Sequence, residues 1–175
     1  MELLSALRVG RDPSSGLPSD GPLSELIDAL AALPDVAELV TLRALLSRPG
    51  IVEAAAPLAR FTPESRCRRV LYRDERVELV IIGWLPGQRA ALHGHGASSC
   101  AFRVLQGAAS ERWVSPGAMS ALSATRHSVG DVAEAAPNGW HELATDGDLP
   151  LVTLHAYSPP LSARSALPTL RTISG

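Results

Sequence analysis

The 175-residue chain contains no lysine: all 16 of its basic residues are arginine. That absence excludes Schiff-base, pyridoxal-phosphate and Walker-lysine chemistry, each of which needs a lysine amine. Any anion-gripping group must then be an arginine. Cysteine is scarce as well. Cys67 and Cys100 allow at most one disulfide, and a chain of this size can build its own core without one. Charge of one sign nowhere accumulates: 16 basic and 18 acidic residues leave a net charge of −2 at pH 7, without the electrostatic footprint of a nucleic-acid or membrane-surface partner. Long apolar runs are missing too. The stretch Met1 to Leu7 meets Arg8 before it reaches the length of a signal-peptide core. No segment approaches the roughly 18 to 20 uninterrupted apolar residues of a membrane span. The expectation is a soluble, cytoplasmic protein of ordinary globular composition, 46% hydrophobic and 19% charged. Two cysteines and five histidines remain as its reactive inventory.

Residues 9–22 gather Gly, Pro, Asp and Ser as loops do, and Ser24 with Glu25 behind it predicts a helix start. Leu26, Ile27, Leu30 and Leu33 recur at helical spacing until Pro34 and Asp35. Val36, Leu39, Val40, Leu42 and Leu46 form a second such stretch, and Ile51 to Leu58 a third. Residues 24–60 therefore predict two or three short helices. After Pro63 the texture changes to short apolar segments with Gly or Pro between them at intervals of about 8 to 12 residues, which predicts an all-β sandwich or barrel. The expected division is an N-terminal arm with short helices over 1–60, a barrel over 61–160 and a tail over 161–175.

His93 and His95 stand two apart on a predicted strand, so both imidazoles share one face. Taken alone, the pair fits either two metal ligands or two barrel-facing histidines bonded to neighbours. Its flanks say more. Gly87, His93, His95, Cys100 and Gly107 read G-x5-H-x-H-x4-C-x6-G, which matches the first cupin motif with Cys100 in the place of the usual Glu. Gly130, Pro137, Gly139 and His141 resemble the second cupin motif. Imidazole ligands suit Fe, Zn, Cu or Ni, and without the Glu no carboxylate ligand offsets a divalent charge. Three neutral ligands facing an open position favour an anionic, sulfur-bearing substrate and an O2-reactive iron over a closed structural zinc.

Over residues 66–160 the chain resembles the cysteine dioxygenases, thiol dioxygenases of the cupin superfamily. The resemblance rests on Gly83 to Gly87 (G-W-L-P-G), the H-x-H with Cys100, Leu105-Gln106-Gly107, Glu111, Gly139-Trp140-His141, and the run Leu154 to Pro160 (L-H-A-Y-S-P-P). It implies a mainly β protein, a jelly-roll type cupin barrel preceded by a small N-terminal helical segment. It also implies Fe(II) held by His93, His95 and His141, with oxidation of L-cysteine to cysteine sulfinic acid by both atoms of O2.

Further roles follow from the same resemblance. Tyr157 falls near the iron and the O2 site, and in animal members its counterpart is joined by a thioether to the cysteine that aligns with Cys100. Many bacterial members have glycine there. Thr153, His155 and Tyr157 alternate onto one strand face as a relay. The carboxylate-binding arginine falls on Arg68, with Arg69 the alternative if the register slips; arginine there suggests cysteine, and glutamine 3-mercaptopropionate. Gly94 replaces a frequent Asp, and Arg66 stands where an aromatic is expected, which implies a more polar cavity. Cys67 is expected in the core, His127 at the surface, and the Ser158-Pro159 bond in cis. The implied partners are a small thiol and O2, and the implied state is a monomer. A dioxygenase for 3-mercaptopropionate or another small thiol, a cupin enzyme using another metal, and a non-catalytic metal-binding cupin are the alternatives.

Overall fold

The computed structural model describes residues 16–114 and 122–161. Among these, three helices come first: α1 (Pro22–Ala31), α2 (Leu39–Leu46) and α3 (Ile51–Ala55), the last continued by a 3-10 turn over Ala56–Leu58. Strands follow as β1 (Cys67–Arg73), β2 (Glu78–Trp84), β3 (Arg89–Gly94), β4 (Ser99–Gln106), β5 (Ala108–Val114), β6 (Leu122–Ser128), β7 (Val132–Ala135), β8 (Trp140–Thr145) and β9 (Leu151–Ser158). The helical start lies earlier than Ser24 suggests. Gly21 occupies the N-cap and Pro22 opens α1, because proline has its φ preset for a helix and no N–H to orphan there. Ser24 is buried inside the first turn, its hydroxyl donating to the Ser19 carbonyl.

All strand pairs are antiparallel and form two sheets, ordered β1-β2-β9-β4-β7 and β3-β8-β5-β6. The protein is mainly β with a cupin architecture. Its interior lies between the sheets, where Val80, Ile82, Trp84, Phe102, Val104, Leu143 and Leu151 pack. The other face of the five-stranded sheet is covered by the helices: Leu26, Leu30, Leu42, Leu46 and Ile51 meet Leu79, Ile81, Val152, Leu154 and Ala156. Covering both faces explains why β2 and β9 are buried at every position although they are antiparallel.

Arginines fasten this layer. The Arg76 guanidinium donates to the carbonyls of Ala31 and Leu33 beyond the end of α1, and Arg103 donates to Leu46 and Arg48 at 2.8 and 2.7 Å at the end of α2. Both satisfy carbonyls that a helix end leaves without partners. Ser158 accepts the Ala37 N–H at 2.7 Å and donates to the Arg76 carbonyl at 2.7 Å, which ties the end of β9 to the helices. The Ser158-Pro159 bond is cis. Cys67 is half-buried rather than a core residue; it lies on β1 opposite Gly83, where the backbone carbonyl of Arg60 comes so close that an added Cβ would meet it at 2.2 Å. All but the first residue of the predicted tail over 161–175, and residues 1–15 of the arm, lie outside the described residues.

Candidate metal centre

Register places the three histidines. His93 on β3 stands directly opposite His141 on β8, and His95 lies one residue past the end of β3 rather than within it. A register shift between Ala90 and His93 still turns both imidazoles inward. The rings of His93, His95 and His141 lie 4.7 to 5.1 Å apart, centroid to centroid, and one ligand atom from each falls within 4.8 Å of the others. His93 is half-buried, whereas His95 and His141 are buried.

Outer partners orient two of the rings. His93 Nδ1 donates to the Ala91 carbonyl at 2.8 Å, and His141 Nδ1 donates to Glu111 Oε1 at 2.6 Å. These bonds assign the proton to Nδ1 and leave the Nε2 lone pair of each facing the other histidines. His141 Nε2 is 3.4 Å from His95 Nε2. Burial, with positive charge on His141 next, lowers the pKa of His93 to about 4; burial and the charges of His141 and His93 lower that of His95 to about 3. Both are neutral at physiological pH, as ligands must be. Three converging lone pairs with no fourth protein ligand fit a metal with open positions.

Glu111 corrects one expectation. No carboxylate ligates, but this carboxylate stands directly behind His141, so the charge of a bound ion is partly offset. Burial alone would raise the pKa of Glu111; hydrogen bonds from His127 and His141 reverse the sign and hold it low. His127 is likewise not at the surface. Its side chain is 13% exposed, its Nε2 lies 2.8 Å from Glu111 Oε2, and its ring packs edge-on against Phe102 with 5.5 Å between centroids. Sequence reasoning quoted Glu111 as part of a motif without giving it a role. The missed signal was parity, since Ala109, Glu111 and Trp113 share the inward face of β5 and Ala109 pairs with His127.

The opposite wall comes from β9 and its two neighbours. Tyr157 is flanked in register by Glu78 on β2 and Cys100 on β4. Its ring stands 5.2 Å from that of His95. Cys100 and Tyr157 are direct cross-strand neighbours, so their side chains share one face of the sheet. Burial pushes both groups up, so both keep their protons. Thr153, His155 and Tyr157 do form a chain: Tyr157 Oη to His155 Nδ1 is 3.2 Å, and His155 Nε2 to Thr153 Oγ1 is 2.8 Å. A fourth member, Trp84, was not foreseen; its indole Nε1 donates to Thr153 Oγ1 at 3.0 Å. An indole N–H can only donate, so Thr153 Oγ1 accepts from Trp84; with the Thr153 proton given to His155 Nε2, one continuous polarity runs from Trp84 to Thr153 to His155 to Tyr157. Burial, and next the cost of placing a second positive charge near His95, His141, His93 and Arg68, holds the pKa of His155 well below its ordinary value, so its ring is neutral.

Arg68, not Arg69, is on the site side of β1. Its Nη2 lies 2.9 Å from Oε1 of the buried Glu78, and Arg73 Nη1 lies 3.5 Å from the same oxygen. Arg69 turns away to the Leu58 carbonyl at 3.4 Å. Arg66 lies over the Trp84 ring, 5.5 Å from its centroid, so the position where an aromatic was expected carries a cation. Gly94 has little room for the expected Asp, because an added Cβ would stand 3.0 Å from the Gly139 carbonyl.

The sequence model of the cysteine dioxygenase type I family matches residues 32–168, a span that takes in α2, α3 and every strand above. The chain belongs to the cysteine dioxygenase type I family. No curated protein matches it. Solved structures share the fold. The TT1209 protein of Thermus thermophilus is 23% identical with a TM-score of 0.52, the similarity covering 59% of this chain and 91% of that one. A protein with a double-stranded β-helix domain from Klebsiella pneumoniae is 21% identical with a TM-score of 0.51, covering 62% and 86%. A cupin superfamily protein from Desulfitobacterium hafniense is 15% identical with a TM-score of 0.52, covering 61% and 88%.

Proposed function

We propose that this member of the family is an Fe(II)- and O2-dependent thiol dioxygenase that converts L-cysteine to cysteine sulfinic acid. The observation that carries the reading is the facing of two sets of groups: the His93, His95 and His141 cluster, and the Tyr157 phenol beside Cys100 across a 5.2 Å ring separation. A metal-binding cupin without catalysis needs only the first set. An iron held by His93, His95 and His141 would supply a common site for a thiolate and O2, replacing an encounter in solution.

The remaining work falls to side chains. Arg68 is ion-paired with Glu78 and keeps its N–H groups for the substrate carboxylate, which it orients through charge-assisted hydrogen bonds. Tyr157 keeps its proton and donates it as a hydrogen bond toward the reacting oxygens, because His155 Nδ1–H already fills an acceptor position on the phenol oxygen. Thr153 and Trp84 hold the His155 ring behind that donor. A Cys100–Tyr157 thioether would form by loss of one hydrogen from the thiol and one from the ring, with both electrons passing to O2, the oxidant the reaction already uses. It would hold the phenol at one angle. The chemistry suits a single chain acting alone in the cytoplasm, where thiols stay reduced.

The test is oxygen uptake by the Fe(II)-loaded protein over cysteine, homocysteine, 3-mercaptopropionate and cysteamine, with sulfinate detected by mass spectrometry. Cysteine is expected to be the best substrate. Preference for 3-mercaptopropionate would contradict the assignment of Arg68 as a cysteine signal, and no uptake with any thiol would leave the non-catalytic reading.

A further inference from the structure

We infer that His127 is a positioning residue of the metal centre, acting through Glu111 on His141, an inference that rests on the metal-centre reading above. The geometry is a three-membered chain reaching inward from β6. His127 Nε2–H donates to one oxygen of Glu111 at 2.8 Å, and the other oxygen accepts the Nδ1–H of His141 at 2.6 Å. The inner two members of this chain are shielded: Glu111 is 1% exposed and His141 2%. A carboxylate in such a place needs a donor on each oxygen to be satisfied and held in one orientation. His127 is the second donor. Its register partner is Ala109, whose small side chain leaves room on the inward face for the imidazole to reach Glu111 two residues along β5.

The consequence is exerted at His141 Nε2. While Glu111 is fixed, His141 carries its proton on Nδ1 and offers the Nε2 lone pair to an ion. Without a partner on Oε2, the buried carboxylate is held by one bond only and can rotate away. That rotation releases Nδ1 of His141 and lets the other tautomer, with a proton on Nε2, compete with metal.

Packing is the competing explanation, since the same ring abuts Phe102. Two substitutions separate the two. His127→Gln keeps an N–H of similar reach and removes the ring; His127→Phe keeps a ring against Phe102 and removes the donor. Co(II) and Fe(II) dissociation constants are measured anaerobically without any thiol, alongside thermal unfolding of each metal-free variant. The expected result is near-normal metal affinity for His127→Gln and an affinity weakened about tenfold for His127→Phe, the low end of what loss of an outer partner costs a metal site. The inverse order, or equal affinity in all three proteins, would overturn the inference while leaving the metal centre intact. Failure of the unsubstituted protein to take up either ion would overturn both.

Discussion

The guanidinium of Arg68 is already engaged within its own chain: it stands 2.9 Å from the carboxylate of Glu78, a side chain with no exposure at all. A buried carboxylate on the site side of β2, in register with Tyr157, gives the arginine a fixed origin from which to address a ligand. Arg73 adds a second positive charge at 3.5 Å, so the trio carries a net charge of about +1 and still attracts an anion.

The pair makes a stability prediction. Arg68→Met leaves Glu78 buried with only the more distant Arg73, and stranding a buried charge costs several kcal/mol when it is complete. Because the Arg68 side chain is 39% exposed and Arg73 stays, the expected loss is about 2 kcal/mol. Adding Glu78→Leu to the same chain is expected to recover most of it. Urea denaturation of the three variants and the parent closes a double-mutant cycle, and strict additivity would show that the two side chains do not interact.

Thr153 lies between two buried nitrogens, and that position sets a second expectation. Thr153→Val deprives the Trp84 indole N–H and His155 Nε2 of their shared partner, at a cost of about 1 to 3 kcal/mol. Thr153→Ser restores the hydroxyl and should return to within about 1 kcal/mol of the parent. Turnover is expected to follow the same order, because the hydroxyl sets the polarity of the chain that ends on Tyr157. A Val variant as stable and as active as the parent would remove the relay from the account.

Metal-free protein should weaken in mild acid. His93 and His95 have ordinary values of 6.5 that the fold lowers to about 4 and about 3. Below pH 6.5 the unfolded chain binds protons that the folded chain refuses, so stability rises with pH in this window. It is complete above the unfolded value and falls as pH drops toward about 4. Denaturation midpoints taken at a series of pH values in chelator should show this slope, and His93→Asn should flatten it. A pH-independent midpoint from about 7 down to about 5 would contradict the buried, neutral state of these rings.

Cys100 and Tyr157 make a covalent prediction. After turnover with iron, thiol and O2, the intact mass should fall by two hydrogens in a fraction of the chains, and Cys100→Ser should abolish the change. An unchanged mass would leave the two groups as cross-strand neighbours and no more.

Parts of this site are legible in one dimension because strand parity is local. His93 and His95, and equally Thr153, His155 and Tyr157, declare a shared face by their spacing alone, whatever pairs with them. The choice between Arg68 and Arg69 needed a partner that only pairing supplies: Glu78 reaches β1 through the β1–β2 register. His127 and Glu111 are separated by 16 residues and meet because β5 and β6 form a hairpin whose register brings Ala109 opposite His127. A histidine in a polar run such as Thr125-Arg126-His127-Ser128 reads as surface until that register is known. The start of α1 slipped for a local reason, since Pro22 outcompetes Ser24 as a helix opener.

The central claim is that this three-histidine centre places both atoms of O2 on a small thiol. Its most direct test is a single reaction of Fe(II)-loaded protein with cysteine under isotopically heavy O2 in ordinary water, read by product mass. The expected product is cysteine sulfinic acid carrying two heavy oxygens, formed in step with O2 consumed. Disulfide as the product, or sulfinate that takes an oxygen from water, would contradict it.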